Sequence, residues 1–120
     1  MTGQVVSLRA ILPVTLRLPG QPDLQIEFVI DTGFTGALAL PPAAVTAMGL
    51  PYLEDTPASL ANDQTVTVPV HALTLVWDGV ERIVRVLAVG RRPLLGTALL
   101  NGNYLGVLFQ EGGVVTITRP

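Results

Sequence analysis

The chain has 120 residues, of which 49% are hydrophobic and 13% charged, with ten Pro, twelve Gly and no Cys. This size and apolar content predict one compact domain, residues 1–120, and exclude both a two-domain enzyme and a disordered chain. The formal net charge of −2 gives no general attraction for a phosphate backbone, so we expect no nucleic-acid partner.

Alternation of apolar and polar residues predicts β-strands through most of the chain. The predicted strands lie, in chain order, around residues 14–18, 24–30, 66–77, 80–89, 107–109 and 114–118, with turns at residues 20–23, 78–79 and 111–113. Short helices are predicted over residues 41–49, where Pro opens and Gly closes the segment, and over residues 96–101. Many short strands with frequent turn signals predict an all-β sandwich or barrel.

The triplet Asp31-Thr32-Gly33 directly follows an apolar strand and interrupts this pattern. Burying a carboxylate is unfavourable unless the group is hydrogen-bonded or paired. The Thr32 hydroxyl can supply such a bond, and Gly33 allows backbone amides to approach closely. Two interpretations stay open on this evidence: a catalytic carboxylate, or an Asx-turn at a strand end, for which Asp and Gly are good formers.

A second apolar segment that ends in glycine, Leu94-Leu95-Gly96, follows another β-rich stretch and opens the second predicted helix. The order of apolar strand, Asp31-Thr32-Gly33, middle hairpin and Leu94-Leu95-Gly96 resembles the retropepsin-type aspartic proteases. This single-lobe class includes retroviral proteases and small stand-alone prokaryotic relatives. The resemblance covers essentially the whole chain in order and spacing, and implies a single-lobe acid-protease barrel with one or two short helices.

The resemblance also implies roles for particular residues. Asp31 matches the catalytic Asp of the family, Thr32 the hydroxyl that braces two active-site loops across a dimer, and Gly33 the glycine beneath the carboxylate. Leu94-Leu95-Gly96 matches the segment that packs against the active-site loop. Phe34 stands where many members have a small residue such as Ala or Ser, and it is expected either to wall a substrate subsite or to plug it.

The family has a β-hairpin that closes over the substrate, and its best candidate here is residues 60–65. Asn62 and Asp63 supply turn chemistry for the tip of a hairpin. Together with Gln64 they are candidate substrate-binding residues. An ordinary exposed turn is the alternative interpretation of the same segment.

One Asp-Thr-Gly triplet supplies only one carboxylate, so the resemblance implies a homodimer in which Asp31 of each copy meets at a two-fold axis. The expected function is an aspartic endopeptidase of extended peptides, in which one Asp takes a proton from water and the other donates to the scissile carbonyl. Segments 5–8 and 114–118 are expected to join the copies. The alternatives are a catalytically inactive dimeric barrel that binds peptides or supports assembly, and an unrelated β-sandwich.

The remaining residues exclude other chemistry. Without Cys there is no thiolate catalysis, and the single His71 cannot form a metal cluster, so we expect no metal and no cofactor. His71 is expected on an exposed face and Trp77 in the core. No apolar run reaches the roughly 20 residues of a membrane helix, and no secretion signal is recognised, so we expect a soluble, cytoplasmic protein without a membrane partner.

Overall fold

The computed structural model describes residues 1–59 and 61–120, with 55% of the chain in strands and 9% in helices. The strands are β1 (Thr2–Val6), β2 (Arg9–Arg17), β3 (Leu24–Ile30), β4 (Leu38–Leu40), β5 (Tyr52–Ser59), β6 (Thr65–Trp77), β7 (Val80–Ala88), β8 (Leu94–Leu95), β9 (Tyr104–Val107) and β10 (Val114–Thr118). The helices are α1 (Pro42–Met48) and α2 (Thr97–Leu100). The prediction of an all-β chain with short helices is confirmed.

The described strands form one sheet in the order β5-β6-β7-β4-β8-β3-β2-β1-β10-β9. An additional antiparallel pairing of β6 with β2, with Leu16 opposite Leu75, closes part of this sheet on itself. The resulting ring consists of β6, β7, β4, β8, β3 and β2. β1, β10 and β9 extend the sheet beyond the ring on one side, and β5 extends it on the other.

The core fills the inside of this ring because the strands alternate between inward apolar and outward residues. Phe28 of β3 is fully buried, and Trp77 at the end of β6 is only 4% exposed, as predicted. Each such side chain contributes roughly 1.5 to 3 kcal/mol through its removal from water. A smaller cluster of Val5, Ala10 and Val115 lies where β1, β2 and β10 meet.

Helix α1 has the boundaries that its sequence predicts. Pro42 occupies the first turn, and Gly49 ends the helix in the left-handed conformation (φ 64°), with its N–H donating to the Thr46 carbonyl at 3.1 Å. Val45 and Met48 are the residues that α1 buries. Neither helix of the described residues is long and apolar enough to cross a membrane.

The turns follow local chemistry, with one exception. Asp78 and Gly79 both have positive φ (50° and 81°), as a two-residue hairpin requires, and they join β6 to β7 as predicted. Ser7 and Leu8 also have positive φ (50° and 61°) and join β1 to β2. This hairpin was not predicted from the sequence because neither residue usually adopts the left-handed conformation.

Candidate functional site

The candidate site lies where β3, β8 and β4 run side by side. β8 pairs in parallel with β3, with Ile30 opposite Leu95, and antiparallel with β4, with Leu38 opposite Leu95. Residues 94–96 therefore pass between the strand that leads into Asp31 and the strand that follows the loop of residues 31–37. The structure thus brings together the two segments that the sequence analysis singled out.

Backbone hydrogen bonds join this loop to residues 95–98. They run from Asp31 N to Leu95 O (2.9 Å), from Gly96 N to Ala37 O (2.9 Å), from Thr97 N to Phe34 O (2.9 Å) and from Ala98 N to Gly36 O (3.2 Å). The Thr97 hydroxyl also lies 3.4 Å from the Phe34 carbonyl oxygen. Since both ends and the middle of the loop are bonded, its shape depends on a segment more than 60 residues later in the chain.

Gly96 permits this close approach. A Cβ at this position would overlap the carbonyl oxygen of Gly36 and lie 2.5 Å from that of Phe34. Both obstacles are backbone atoms, so a side chain here would push the two segments apart. The glycine that ends the 94–96 segment is therefore required by packing.

Asp31 is half-buried at the end of β3. Its Oδ1 accepts a hydrogen bond from the Gly33 N–H at 2.9 Å, and its carbonyl accepts one from the Phe34 N–H at 3.1 Å. The loop is thus an Asx-turn that fixes the direction of the carboxylate. Within the part of the chain that the structure describes, no protein group donates to Oδ2.

The neighbours of Asp31 differ in exposure. Thr32 and Gly33 are exposed in the single chain, and a Cβ on Gly33 would lie 3.3 Å from Asp31 Oδ1. Phe34 is half-buried, and its ring turns back over the loop: Cβ atoms added to Gly36 or Gly96 would lie 2.6 and 2.7 Å from its ring atoms. The aromatic ring therefore fills the space that the two glycines leave open.

No family model, no curated protein and no solved structure matches the chain.

The predicted substrate-covering segment lies at the end of the hairpin formed by β5 and β6. These strands pair from Tyr52 opposite His71 to Ser59 opposite Thr65. Asn62 Oδ1 accepts a hydrogen bond from the Gln64 N–H at 3.2 Å, and Asp63 has a φ of 63°, so the tip is a turn as predicted.

Asn62, Asp63 and Gln64 are all exposed, and Leu60 lies outside the described residues. Among the residues that are described, no hydrogen bond links 61–65 to the Asp31 loop. The role of these residues in covering a substrate stays a prediction.

His71 departs from its prediction. It is half-buried rather than exposed, with Nδ1 at 2.9 Å from the Leu50 carbonyl oxygen and the ring of Tyr52 in an edge-on contact at 5.6 Å. The prediction was wrong because alternation along β6 does not reveal that the Leu50 carbonyl, just after α1, and the ring of the paired residue Tyr52 lie against this side chain. The hydrogen bond gives His71 a structural partner in the Leu50 carbonyl.

The acidic residues Glu54 and Asp78 lie on the surface in ion pairs. Glu54 pairs with Arg85 at 2.6 Å, and Asp78 pairs with Arg119 at 3.3 Å, all with exposed side chains. Such exposed pairs contribute about 0 to 1 kcal/mol each. In residues 1–59 and 61–120, no three His, Cys, Asp or Glu side chains are grouped as a metal site would need.

Proposed function

We propose that the chain is an aspartic endopeptidase of the retropepsin type, with Asp31 as its catalytic carboxylate. The observation that carries the proposal is the half-buried Asp31 at the end of an apolar strand, in a loop that four backbone hydrogen bonds fasten to residues 95–98. An isolated surface turn does not need hydrogen bonds to a distant segment. A catalytic carboxylate needs them, because general acid and base chemistry depends on a fixed position of the reacting oxygen.

The two oxygens of Asp31 suit different tasks. Oδ1 is held by the Gly33 N–H at 2.9 Å, which orients the group. In the described residues Oδ2 accepts no protein hydrogen bond, which leaves it available to a water molecule or a shared proton. This division supports a role in activating water.

A single carboxylate cannot act as acid and base in the same step, so the mechanism requires Asp31 of a second copy. At a two-fold axis the two carboxylates lie close enough that one proton is shared between them. The ionised Asp31 removes a proton from a bound water, whose oxygen attacks the scissile carbonyl carbon. The protonated Asp31 donates to the carbonyl oxygen, and a tetrahedral diol forms without a covalent enzyme intermediate.

The substrate class is an extended peptide. β5 is an end strand of the sheet, so the backbone groups that face away from β6 are available to a further strand. Peptides that add to a sheet edge gain affinity from backbone hydrogen bonds and selectivity from alternate side chains. This edge supports peptide recognition by the hairpin that the sequence analysis assigned to the substrate.

The test is cleavage of a peptide library by the wild type and by Asp31→Asn between acid and neutral pH. We expect a bell-shaped rate with its maximum on the acid side, because the pair must hold one proton, and a loss of at least about 1,000-fold in Asp31→Asn. Asp31→Asn should still fold and bind peptide, because the amide keeps the shape of the side chain.

The sequence pI near 5.1 lies in the same range, so light scattering must accompany each rate to separate inactivation from precipitation. A wild-type rate that rises steadily into alkaline pH contradicts the shared proton. Peptide binding without cleavage at any pH, and indifferent to Asp31→Asn, favours a non-catalytic binding module of the same fold.

A further inference from the structure

A cavity of about 410 Å³ lies beside the turn that joins β6 to β7, and the proposed mechanism does not use it. Its walls are Trp77 and Val80 at the ends of the two strands, Arg82 of β7, the segment 101–103 after α2, and residues 119 and 120. No residue of the Asp31 loop, all of which the structure describes, lines the cavity. Its volume is in the range of about 300 to 1,000 Å³ that is usual for small-molecule sites.

Strand register places Arg82 on the inner face of the ring of strands. Arg82 pairs with Leu75, which is fully buried, and paired residues in a sheet share a face. Trp77, two residues after Leu75, is on that face too and is only 4% exposed. Arg82 itself is exposed. Its guanidinium group therefore lies at an opening of the ring rather than in the closed core.

Of the two guanidinium groups at the cavity, only that of Arg82 lacks a counter-charge among the described residues. Arg119 pairs with Asp78, whose Oδ2 lies 3.3 Å from the Arg119 Nε, so these two charges largely cancel. Within residues 1–59 and 61–120, no carboxylate forms an ion pair with Arg82. The neighbouring Glu81 lies on the opposite face by alternation and pairs with Arg17 at 3.1 Å. A ligand in the cavity therefore meets a single free guanidinium group.

A free guanidinium group favours a planar monoanion. Its parallel N–H groups match the two oxygens of a carboxylate, and such charge-assisted pairs are about twice as strong as neutral hydrogen bonds. One positive charge balances one negative charge, which fits a carboxylate better than a phosphate dianion. Val80 is 54% exposed and offers apolar surface beside the guanidinium group, as does Trp77 where it lines the cavity. An apolar body attached to the carboxylate can therefore leave water in the same cavity.

Local hydrogen bonds fix the wall that residues 101–103 form. The Asn103 N–H and the Asn103 side-chain Nδ2 both donate to the Leu100 carbonyl, at 3.0 and 3.3 Å. Nδ2 also donates to the Asn101 carbonyl at 3.3 Å. Gly102 has a φ of 82°, a left-handed conformation that glycine adopts without strain. The wall is therefore formed before a ligand arrives, and binding does not have to order it.

We propose that this cavity binds a small organic carboxylate with an apolar body, held by the guanidinium group of Arg82. The inference does not rest on the proposed function, because the cavity contains no residue of the described Asp31 loop. A chain that cleaves no peptide can still bind the carboxylate, and a peptidase can lack this second site. The two proposals are therefore tested separately.

Benzoate is the probe, and Trp77, the single tryptophan of the chain, supplies the signal. In a nitrogen-15 NMR titration the indole N–H of Trp77 gives one resonance, which should shift as benzoate binds. We expect saturable binding with a Kd on the order of 1 mM, because so small a ligand gains only modest affinity. Benzyl alcohol, which has the ring without the charge, should bind at least about tenfold more weakly.

Two substitutions on β7 locate the binding charge. Arg82→Gln should weaken benzoate binding at least about tenfold, because the amide can donate a hydrogen bond but carries no charge. Arg85→Gln is the matched control, since it removes the same charge from the same strand. Arg85 lies between the buried Val84 and Val86 and so on the opposite face from Arg82. Arg85→Gln should change the Kd by less than about twofold.

Four results would overturn the proposal. The first two are no shift of the Trp77 indole resonance with benzoate, and equal losses of affinity in Arg82→Gln and Arg85→Gln. Equal binding of benzyl alcohol and benzoate would mean an apolar cavity without recognition of the anion. Tighter binding of inorganic phosphate than of benzoate would mean a phosphate site. Either of these last two results contradicts a carboxylate site.

Discussion

The loop around Asp31 and the tip of the β5–β6 hairpin are both turns between strands, but they are held in different ways. The loop of residues 31–37 is bonded along its length to residues 95–98 and lies against Gly96, which has no room for a side chain. Among the described residues of the tip, the Asn62–Gln64 bond is local and the side chains are exposed. The first geometry depends on distant residues, whereas the second depends on its own turn sequence.

Of the substitutions predicted here, Gly96→Ala should lower the stability of the protein most, because the Asp31 loop packs directly against Gly96. In Gly96→Ala the added methyl group meets the carbonyl oxygens of Gly36 and Phe34, so we expect the free energy of unfolding to fall by about 3 kcal/mol. Urea unfolding measures the change. Gly20→Ala is the control, because Gly20 has a φ of 64° and open space around it, and should cost only about 1 kcal/mol. Equal losses in the two variants would mean that the loop is not tightly packed.

Removal of the Phe34 ring should have an intermediate effect on stability. Phe34→Ala should lower the free energy of unfolding by about 2 kcal/mol, because the ring is half-buried against Gly36 and Gly96.

A double-mutant cycle distinguishes the contacts of the two glycines. The three atoms nearest to a methyl group on Gly36 all belong to the ring of Phe34, so Gly36→Ala should destabilise the wild type and be nearly neutral in Phe34→Ala. The loss from Gly96→Ala should persist in the same background, because its main obstacles are backbone oxygens. If Phe34→Ala relieves both glycine substitutions equally, the backbone contact at Gly96 is not the constraint.

The smallest expected effect is on the ionisation of Tyr52 in the β5–β6 hairpin. The Tyr52 hydroxyl donates to Asp55 at 3.0 Å, and this hydrogen bond is the main cause that raises the pKa of Tyr52, with smaller effects of burial and of the Asp55 and Glu54 charges. Because the folded pKa lies above the unfolded value, the associated stability is complete below about pH 10 and is lost as the pH rises through the folded pKa. Asp55→Ala should therefore lower the pH at which Tyr52 ionises.

Ultraviolet titration of the phenolate checks this expectation. Glu54→Gln is the control and should shift the titration less, because the Glu54 charge is the last of the causes. A larger shift in Glu54→Gln than in Asp55→Ala would assign the effect to general charge rather than to the hydrogen bond.

Local features were predictable from the sequence, and contacts between distant segments were less so. The strands β2, β3, β6, β7 and β10 and the helix α1 follow from apolar periodicity and from Pro and Gly at the helix ends, whereas β4 and β5 were not predicted. The neighbourhood of Asp31 and Gly96 was expected only from a family resemblance, since nothing in either segment specifies pairing over more than 60 residues. The half-burial of His71 was missed because strand alternation does not indicate which other residues, here Leu50 and Tyr52, lie against a side chain.

The exposure of neighbouring apolar residues was only partly predictable for the same reason. Leu108 and Phe109 were predicted as strand residues, but β9 ends at Val107 and both side chains are exposed. Val5 and Val6 are the same residue type, yet Val5 is fully buried and Val6 is exposed. Residue type alone does not separate these roles, because a core and an interface both require large apolar side chains.

Mixing wild-type protein with Asp31→Asn tests most directly whether Asp31 works as half of a shared pair. At constant total concentration, with exchange complete and dimers saturated, a shared site is active only when both copies are wild type. The account predicts a rate that follows the square of the wild-type fraction, so that an equal mixture keeps about one quarter of the full rate. A rate proportional to the wild-type fraction, about one half in the equal mixture, would mean that each copy acts alone and would contradict the account.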